Sequence, residues 1–371
     1  MKIGILTYHN AINYGAVFQT YALQQFLTDK GFDTYVIDYK NKSVENQYRF
    51  KRLRLNKQLS TNLKWNIQQF IYLPAKKKNF KTWQKKFRLL KLEDKEKLKN
   101  TTAFLDKVIV GSDQVWKLKA HDYDSTFFLD FVEEKKRVSY AASFGSSNLD
   151  EQEKTYLSNY LLHIPFISVR EESGVEIVKN LTGKNAVSVL DPVLLMNKDF
   201  WMSNMKNSVN RYGDYLFVYQ IGSGDYLPTL CKKIANEYCL KVIYVADNLL
   251  TMLSYGPSSI NKSSVGPEDF LTLLYNAKMV CTNSFHATAL SLVMHKDFYT
   301  VVKGKENDLW NTRMYSLLKR FNLTNRIIQV GDKVESFSSC NFDSFDYLLK
   351  SYKNSSEEFL NTAISGEINA V

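Results

Sequence analysis

Long apolar runs, paired cysteines and glycine-rich loops are all missing from this sequence, and each absence removes a class of explanation. No stretch reaches the roughly 18 consecutive apolar residues of a spanning helix. The opening MKIGILTYHN reads as one short strand rather than a charged segment followed by a long apolar one. The four cysteines (Cys231, Cys239, Cys281 and Cys340) show no CxxC spacing and no surrounding histidine grid, so neither zinc nor a disulfide framework is expected. These features together predict a cytoplasmic chain with reduced thiols. No GxGxxG fingerprint, Walker loop or GxSxG elbow occurs, which sets aside the usual dinucleotide, nucleotide and hydrolase sites. Internal repeats and low-complexity tracts are missing too.

What is present is ordinary globular material: 371 residues, 44% hydrophobic and 23% charged, enough for two domains of about 150 residues each. Positive charge is in excess but unevenly placed. Between Asn41 and Asn100 there are 18 Lys and Arg against 4 Asp and Glu, a net of +14; the rest of the chain carries 31 against 34, a net of −3. Within that segment, YRFKRLRLNKQ and LPAKKKNFKTWQKKFRLLK interleave cations with Phe, Leu, Trp and Tyr. Such a mixture suits a helical surface whose cations snorkel over apolar stems, either as a solvated helical insert or as a face toward anionic lipid. A nucleic-acid role is not expected, since no helix-turn-helix, zinc-finger or RRM signature accompanies it.

Along the chain, runs rich in Val, Ile and Tyr alternate with helical patterns, the signature of parallel sheets with helices on their faces. KIGILTY is a first strand; the helix from about Ala16 to Lys30 carries Phe18, Ala22, Leu23, Phe26 and Leu27 on one stripe and stops at Gly31; DTYVIDY is the second strand. KVIVGSD, RVSYAASFG, FISVREES and AVSVLDPVLL continue the pattern, and after a polar interruption it resumes with YLFVYQIG, KVIYVAD and KMVCTN. The fold class expected is α/β, two Rossmann-like lobes facing across a cleft in a GT-B-like arrangement, with ligands at the carboxyl ends of the strands. The predicted divisions are 1–196 for the first lobe with the basic insert at about 41–100, 197–330 for the second lobe, and 331–371 for a helical extension.

Candidate site residues sit at those strand ends. In CTNSFHATALSLV, Ser284 falls at a helix N-cap and His286 in the first turn, where free amides and the helix dipole favour an anion, and where an imidazole can give or take a proton. Ala287 and Ala289 keep that surface low. Arg170 follows an apolar strand and places a guanidinium, suited to phosphate or carboxylate, at the same edge of the first lobe. Asp113 ends another strand, as an N-cap or a substrate contact. Asn13, Tyr14 and Gly15 form the first strand-to-helix turn, where glycine permits close approach to a ligand or simply turns the chain. KGKENDLWNTR offers Lys303, Lys305 and Arg313 on a loop and a helix start, and for such lysines solvation is the default.

Taken in order, NYGAVFQTYALQQFL, VIVGSDQVW, YAASFG, SVREESG, VLDPVLL, TNSFHATALSLV and RMYSLLKRFNLTNRI resemble the polysaccharide pyruvyl transferase family over roughly Lys2 to Ile328. The resemblance implies a cytoplasmic GT-B-like enzyme that uses phosphoenolpyruvate as co-substrate, with no cofactor and no metal, to place a pyruvate ketal across two hydroxyls of a saccharide. It maps the family's arginine and donor-site histidine onto Arg170 and His286 as the catalytic pair, with Ser284, Ala287 and Lys303 completing the donor site. Asn13, Tyr14, Gly15 and Asp113 are then the acceptor candidates. Ala287 stands where the family more often has glycine, which implies a slightly narrower site. The acceptor is a cell-surface polysaccharide or its lipid-linked precursor, and segment 41–100 would bring the protein to the inner face of an anionic membrane. Two alternatives stay open: a GT-B glycosyltransferase with a nucleotide-sugar donor, and a noncatalytic relative that binds anions or glycans.

Overall fold

In the computed structural model, which describes residues 1–46, 59–92, 97–206, 210–304, 311–332 and 338–366, the strands form two separate sheets in which every pairing is parallel. The first contains β1 (Lys2–Leu6), β2 (Asp33–Ile37), β3 (Leu89–Leu90), β4 (Lys107–Val110), β5 (Arg137–Ala142), β6 (Phe166–Val169) and β7 (Val187–Ser188), in the order β3-β2-β1-β4-β5-β6-β7. The second contains β8 (Tyr215–Gln220), β9 (Lys241–Ala246), β10 (Ile260–Asn261), β11 (Met279–Thr282), β12 (Phe298–Val302) and β13 (Ile327–Gln329), in the order β10-β9-β8-β11-β12-β13. Central strands are buried on both faces, which is why they read as continuous apolar runs rather than alternating ones. In each sheet the strand order reverses once, between β1 and β4 and between β8 and β11, and ligands of open α/β sheets collect outside the carboxyl ends at such a reversal.

AVSVLDPVLL differs from a plain strand. Only Val187–Ser188 pair, and Pro192–Leu195 form a short helix capped by Asp191, whose Oδ1 accepts from the Val193 amide at 3.0 Å. Proline at the first helical position explains the switch, because its fixed φ suits a helix start and its missing N–H would be unpaired there anyway.

The two lobes share a core. The helix Tyr14–Asp29 of the first lobe packs Tyr14 and Phe18 against Phe270 of the second, with Tyr14 stacked at a centroid distance of 4.3 Å. The basic segment contributes a long helix, Leu59–Gln84, that bridges the lobes: Phe80 and Trp83 are buried and Asn79 Nδ2 donates to the Ser264 carbonyl. Its lysines divide accordingly. Lys77, Lys78, Lys81 and Lys85 are exposed, whereas Lys76 is buried. Lys86 lies over the Trp83 ring and pairs with Glu268 at 3.1 Å. YRFKRLRLNKQ lies outside the described residues. The C-terminal helix Phe342–Ser365 returns to the first lobe, where Ser356 Oγ accepts from the Leu190 amide and Glu357 pairs with Lys30.

Candidate active site between the lobes

The SFH stretch reaches across the cleft. β11 ends at Thr282, whose hydroxyl accepts from the Ser284 amide, and the tight turn launches the buried helix Phe285–Val293 with Ser284 at its N-cap. The Ser284 side chain makes no capping bond, so amides of the first turn have no side-chain acceptor there. Phe285 slides under Arg170 of the first lobe, with the guanidinium carbon 4.2 Å from the ring centroid, and His286 places Nε2 3.4 Å from Asp191 Oδ2. That separation allows an ion pair but lies outside hydrogen-bond geometry. Ala287 packs in the core behind them.

Asp191 is the hub on the first-lobe side. Its Oδ2 accepts from Ser112 Oγ at 2.8 Å and Arg170 Nη1 at 3.0 Å, and the whole carboxylate is buried. Burial alone would raise its pKa, but the His286 imidazole, the Arg170 guanidinium and the Val193 amide outweigh that and hold it well below the usual carboxylate range. It is therefore a fixed negative charge that orients a cation and an imidazole at once.

Arg170 is equally buried. Burial works against its charge, yet Glu171, Asp191 and Asp113 hold it firmly protonated. Nε donates to Glu171 Oε1 at 2.9 Å and Nη1 to Asp191, while Nη2 has no partner among the described residues. Facing it is Arg313, at the start of the second-lobe helix Thr312–Arg320, and its Nε has no partner either. Burial, and next the charge of Arg170, push the Arg313 guanidinium below its usual pKa, against the pull of Glu171 and Asp113. Arg313 in turn adds to the burial that lowers Lys117. A narrow crevice is lined by Arg170, Asp191, Phe285, Arg313 and Arg320, and a second by Gly145, Ser146, Glu171, Thr312 and Arg313. Two guanidiniums that repel one another, each with a buried N–H donor that has no partner among the described residues, are an arrangement suited to an anion.

The other sequence candidates divide. Gly15 belongs here, in a way its sequence did not disclose: a Cβ at this position would lie 2.0 Å from His286 Nδ1, so the glycine lets the first-lobe helix start meet the imidazole. Tyr14 is committed to the lobe interface, its hydroxyl donating to the Val265 carbonyl at 2.8 Å, and Asn13 caps its own helix through Ala16 N. Asp113, three residues past β4, adopts φ +87°, and its charge acts on Arg170, Arg313 and Lys117. Lys303 is exposed, with its carbonyl held by Asn311, and is not among the residues lining either pocket. Lys305 lies outside the described residues. Asp191 and Ser112 were not singled out by the sequence, although an Asp-Pro helix start after an apolar strand is a readable signal for the former. No cluster of three or more His, Cys, Asp or Glu side chains among the described residues could hold a metal ion.

The family model for polysaccharide pyruvyl transferases matches residues 13–302, a span that holds Arg170, Asp191 and His286. The chain belongs to the polysaccharide pyruvyl transferase family. No curated protein sequence matches it significantly. Among solved structures it is similar to S. aureus MnaA in complex with UDP, at 12% identity over 96% of this chain and 90% of that one, with a TM-score of 0.50. It also resembles the Neisseria meningitidis UDP-GlcNAc 2-epimerase bound to UDP-GlcNAc, at 11% identity over 98% and 100% of the two chains with a TM-score of 0.49. At such identities the likeness concerns the two-lobed GT-B-like fold. Family membership makes this pyruvyl transferase an enzyme that acts on a saccharide acceptor.

Proposed function

We propose that this pyruvyl transferase takes phosphoenolpyruvate as donor and builds a pyruvate ketal across two hydroxyls of a saccharide, releasing phosphate. The observation that carries the reading is the facing pair Arg170 and Arg313, each with a buried, unused N–H donor, beside His286. Phosphoenolpyruvate brings two anionic groups on a three-carbon skeleton, and two fixed guanidiniums answer them. In the reaction the donor's methylene carbon gains a proton and becomes methyl, C2 becomes electrophilic, one hydroxyl adds there, the bond from C2 to the bridging oxygen breaks so that this oxygen leaves on phosphate, and the second hydroxyl closes the ketal. Of the two hydroxyl protons, one equivalent ends on the methyl and one on phosphate. His286, oriented by Asp191, is the proton donor, and general acid–base catalysis of this kind contributes about 10²- to 10⁴-fold. Guanidiniums already in place lower the cost of charge developing on the leaving phosphate.

The test is direct. With phosphoenolpyruvate and a panel of free and lipid-linked oligosaccharides, acceptor-dependent phosphate release and a ketal-bearing product in the mass spectrum are expected. Nucleoside diphosphate release from a nucleotide sugar in the same panel would instead assign a glycosyltransferase.

For the approach to a lipid-linked acceptor, the exposed Lys77, Lys78, Lys81 and Lys85 form the face that meets an anionic surface, each cation contributing about 1 kcal/mol near it. No helix among the described residues is long and apolar enough to cross a membrane. Salt-sensitive sedimentation with anionic vesicles, lost when these four become Gln, is expected. Equal, negligible sedimentation with neutral and anionic vesicles at low salt returns this face to a solvated strut.

A further inference from the structure

Asp191 Oδ2 has three neighbours and two lone pairs. Ser112 Oγ donates to it at 2.8 Å and Arg170 Nη1 at 3.0 Å, and these two fill the oxygen. His286 Nε2 stands third, at 3.4 Å, and has no hydrogen-bond partner among the described residues. The other carboxylate oxygen, Oδ1, takes the Val193 amide at 3.0 Å. The imidazole therefore feels the charge of Asp191 without receiving its hydrogen bond. Of the two groups ahead of it, Arg170 also faces the anion site, whereas Ser112 is neutral and wholly buried.

Ser112 is itself held by a chain of buried polar groups. It sits two residues past β4, and its backbone carbonyl accepts from Thr7 Oγ1 at 2.9 Å, just past the neighbouring strand β1. Thr7 Oγ1 in turn accepts from Gln19 Nε2 at 2.9 Å, so its own proton is committed to Ser112. The Ala16 carbonyl, 3.0 Å from Gln19 Nε2, can only accept and so fixes which way the amide points; Oε1 is left buried without a partner. Gln19, Thr7, Ser112 and Asp191 are each at most 1% exposed. Such a chain costs desolvation, the orphan carbonyl included, and an apolar set would pack without that cost. It runs from the helix whose Gly15 meets His286 Nδ1 to the carboxylate beside Nε2, and so holds both sides of the ring.

We propose that Ser112 is a positioning residue for the reaction: by occupying Asp191 Oδ2 it keeps the carboxylate from bonding His286 outright, and so leaves the imidazolium free to give its proton to the donor's methylene carbon. The role rests on the pyruvyl-transfer reading above, in which His286 is that proton donor. Competition for one oxygen sets the direction of the effect. A direct bond from Nε2–H to Oδ2 favours the charged imidazolium and makes it a weaker acid, and a group that takes the acceptor first does the reverse. The other groups around the pair are Arg170 with Glu171 beside it, Arg313 and Arg320 on the same crevice, Tyr140, whose hydroxyl donates to the Leu190 carbonyl, and Gly15 and Phe285 against the ring. None of them competes with His286 for Oδ2 except Arg170, so Ser112 is the one neutral group through which that competition can be changed without touching the charges.

Ser112→Ala in the full-length protein tests this. The His286 resonance, identified by its loss in His286→Gln, is followed by NMR through a pH titration without donor, and in Ser112→Ala it is expected to titrate at higher pH than in the wild type. The basic limb of kcat is expected to move up with it, and kcat near neutral pH to fall by up to about tenfold, with phosphoenolpyruvate affinity unchanged. Thr7→Val, which keeps the shape and removes only the hydroxyl that holds the Ser112 carbonyl, is expected to move His286 the same way by less. A serine that only packs would change the melting temperature without raising the titration of this histidine. A titration unmoved or lowered in folded Ser112→Ala overturns the role, as does a raised titration with wild-type kcat at every pH. A wild-type protein that neither binds phosphoenolpyruvate nor releases phosphate from it overturns the pyruvyl-transfer reading instead, whereas the titration, read without donor, still decides whether Ser112 keeps Asp191 from His286.

Discussion

Arg313→Ala is expected to weaken phosphoenolpyruvate binding roughly 10²-fold or more while leaving the melting temperature unchanged or raised. Truncating one partner of a buried charge pair typically costs about 2–5 kcal/mol in binding, and here the partner is the bound anion. The unliganded fold loses nothing comparable, because Arg313 Nε has no partner among the described residues and its charge is opposed by that of Arg170. Arg170→Ala should behave differently. Its guanidinium serves the ligand through Nη2 and the fold through Glu171 and Asp191, so donor affinity and stability are both expected to fall. Removing one member of a buried ion pair costs about 3–5 kcal/mol. Calorimetry and thermal melts on the two variants separate the roles. Undiminished donor affinity in folded Arg313→Ala would remove this arginine from the site.

The second large effect is expected from a single methyl group. Gly15→Ala places a Cβ against the His286 ring, 2.0 Å from Nδ1 and within 3 Å of two ring carbons, so the imidazole or the helix start must shift. The ring has little room, since Phe285 adjoins it on the same helix and Asp191 faces its other nitrogen. Overpacking of this kind costs about 1–3 kcal/mol, and a displacement of about 1 Å in a catalytic group can cost 10²-fold in turnover. A kcat reduced by that order, with a smaller change in donor affinity, is expected. Wild-type kcat in Gly15→Ala would show that the contact is not needed for chemistry.

Much of this architecture was legible because its determinants are local. The runs KIGIL, KVIV, FISV, YLFVYQ and MVCT announce buried parallel strands by composition alone, and the breaks after FISV and MVCT place Arg170 and His286 at the carboxyl edges. What stayed hidden depends on contacts distant in sequence. Asp191 is tied to Ser112 across 79 positions and Tyr14 to Val265 across 251, and neither tie leaves a trace in spacing. Arg313 resembled any cation near a loop until the facing arginine and its unused donor were seen. Lys76 cannot be told from Lys77 or Lys78 by composition; only the phase of the helix and the arrival of the second lobe decide which of the three is buried. Gly15 was read as permitting close approach, but the approaching group is a side chain of the other lobe rather than a ligand.

Titration calorimetry of the wild-type protein and Arg313→Ala with phosphoenolpyruvate, and separately with nucleotide sugars, tests the anion site most directly. The site described here predicts saturable binding of about one phosphoenolpyruvate per chain, lost in the variant, and no comparable binding of nucleotide sugars. Binding of a nucleotide sugar without binding of phosphoenolpyruvate would contradict it.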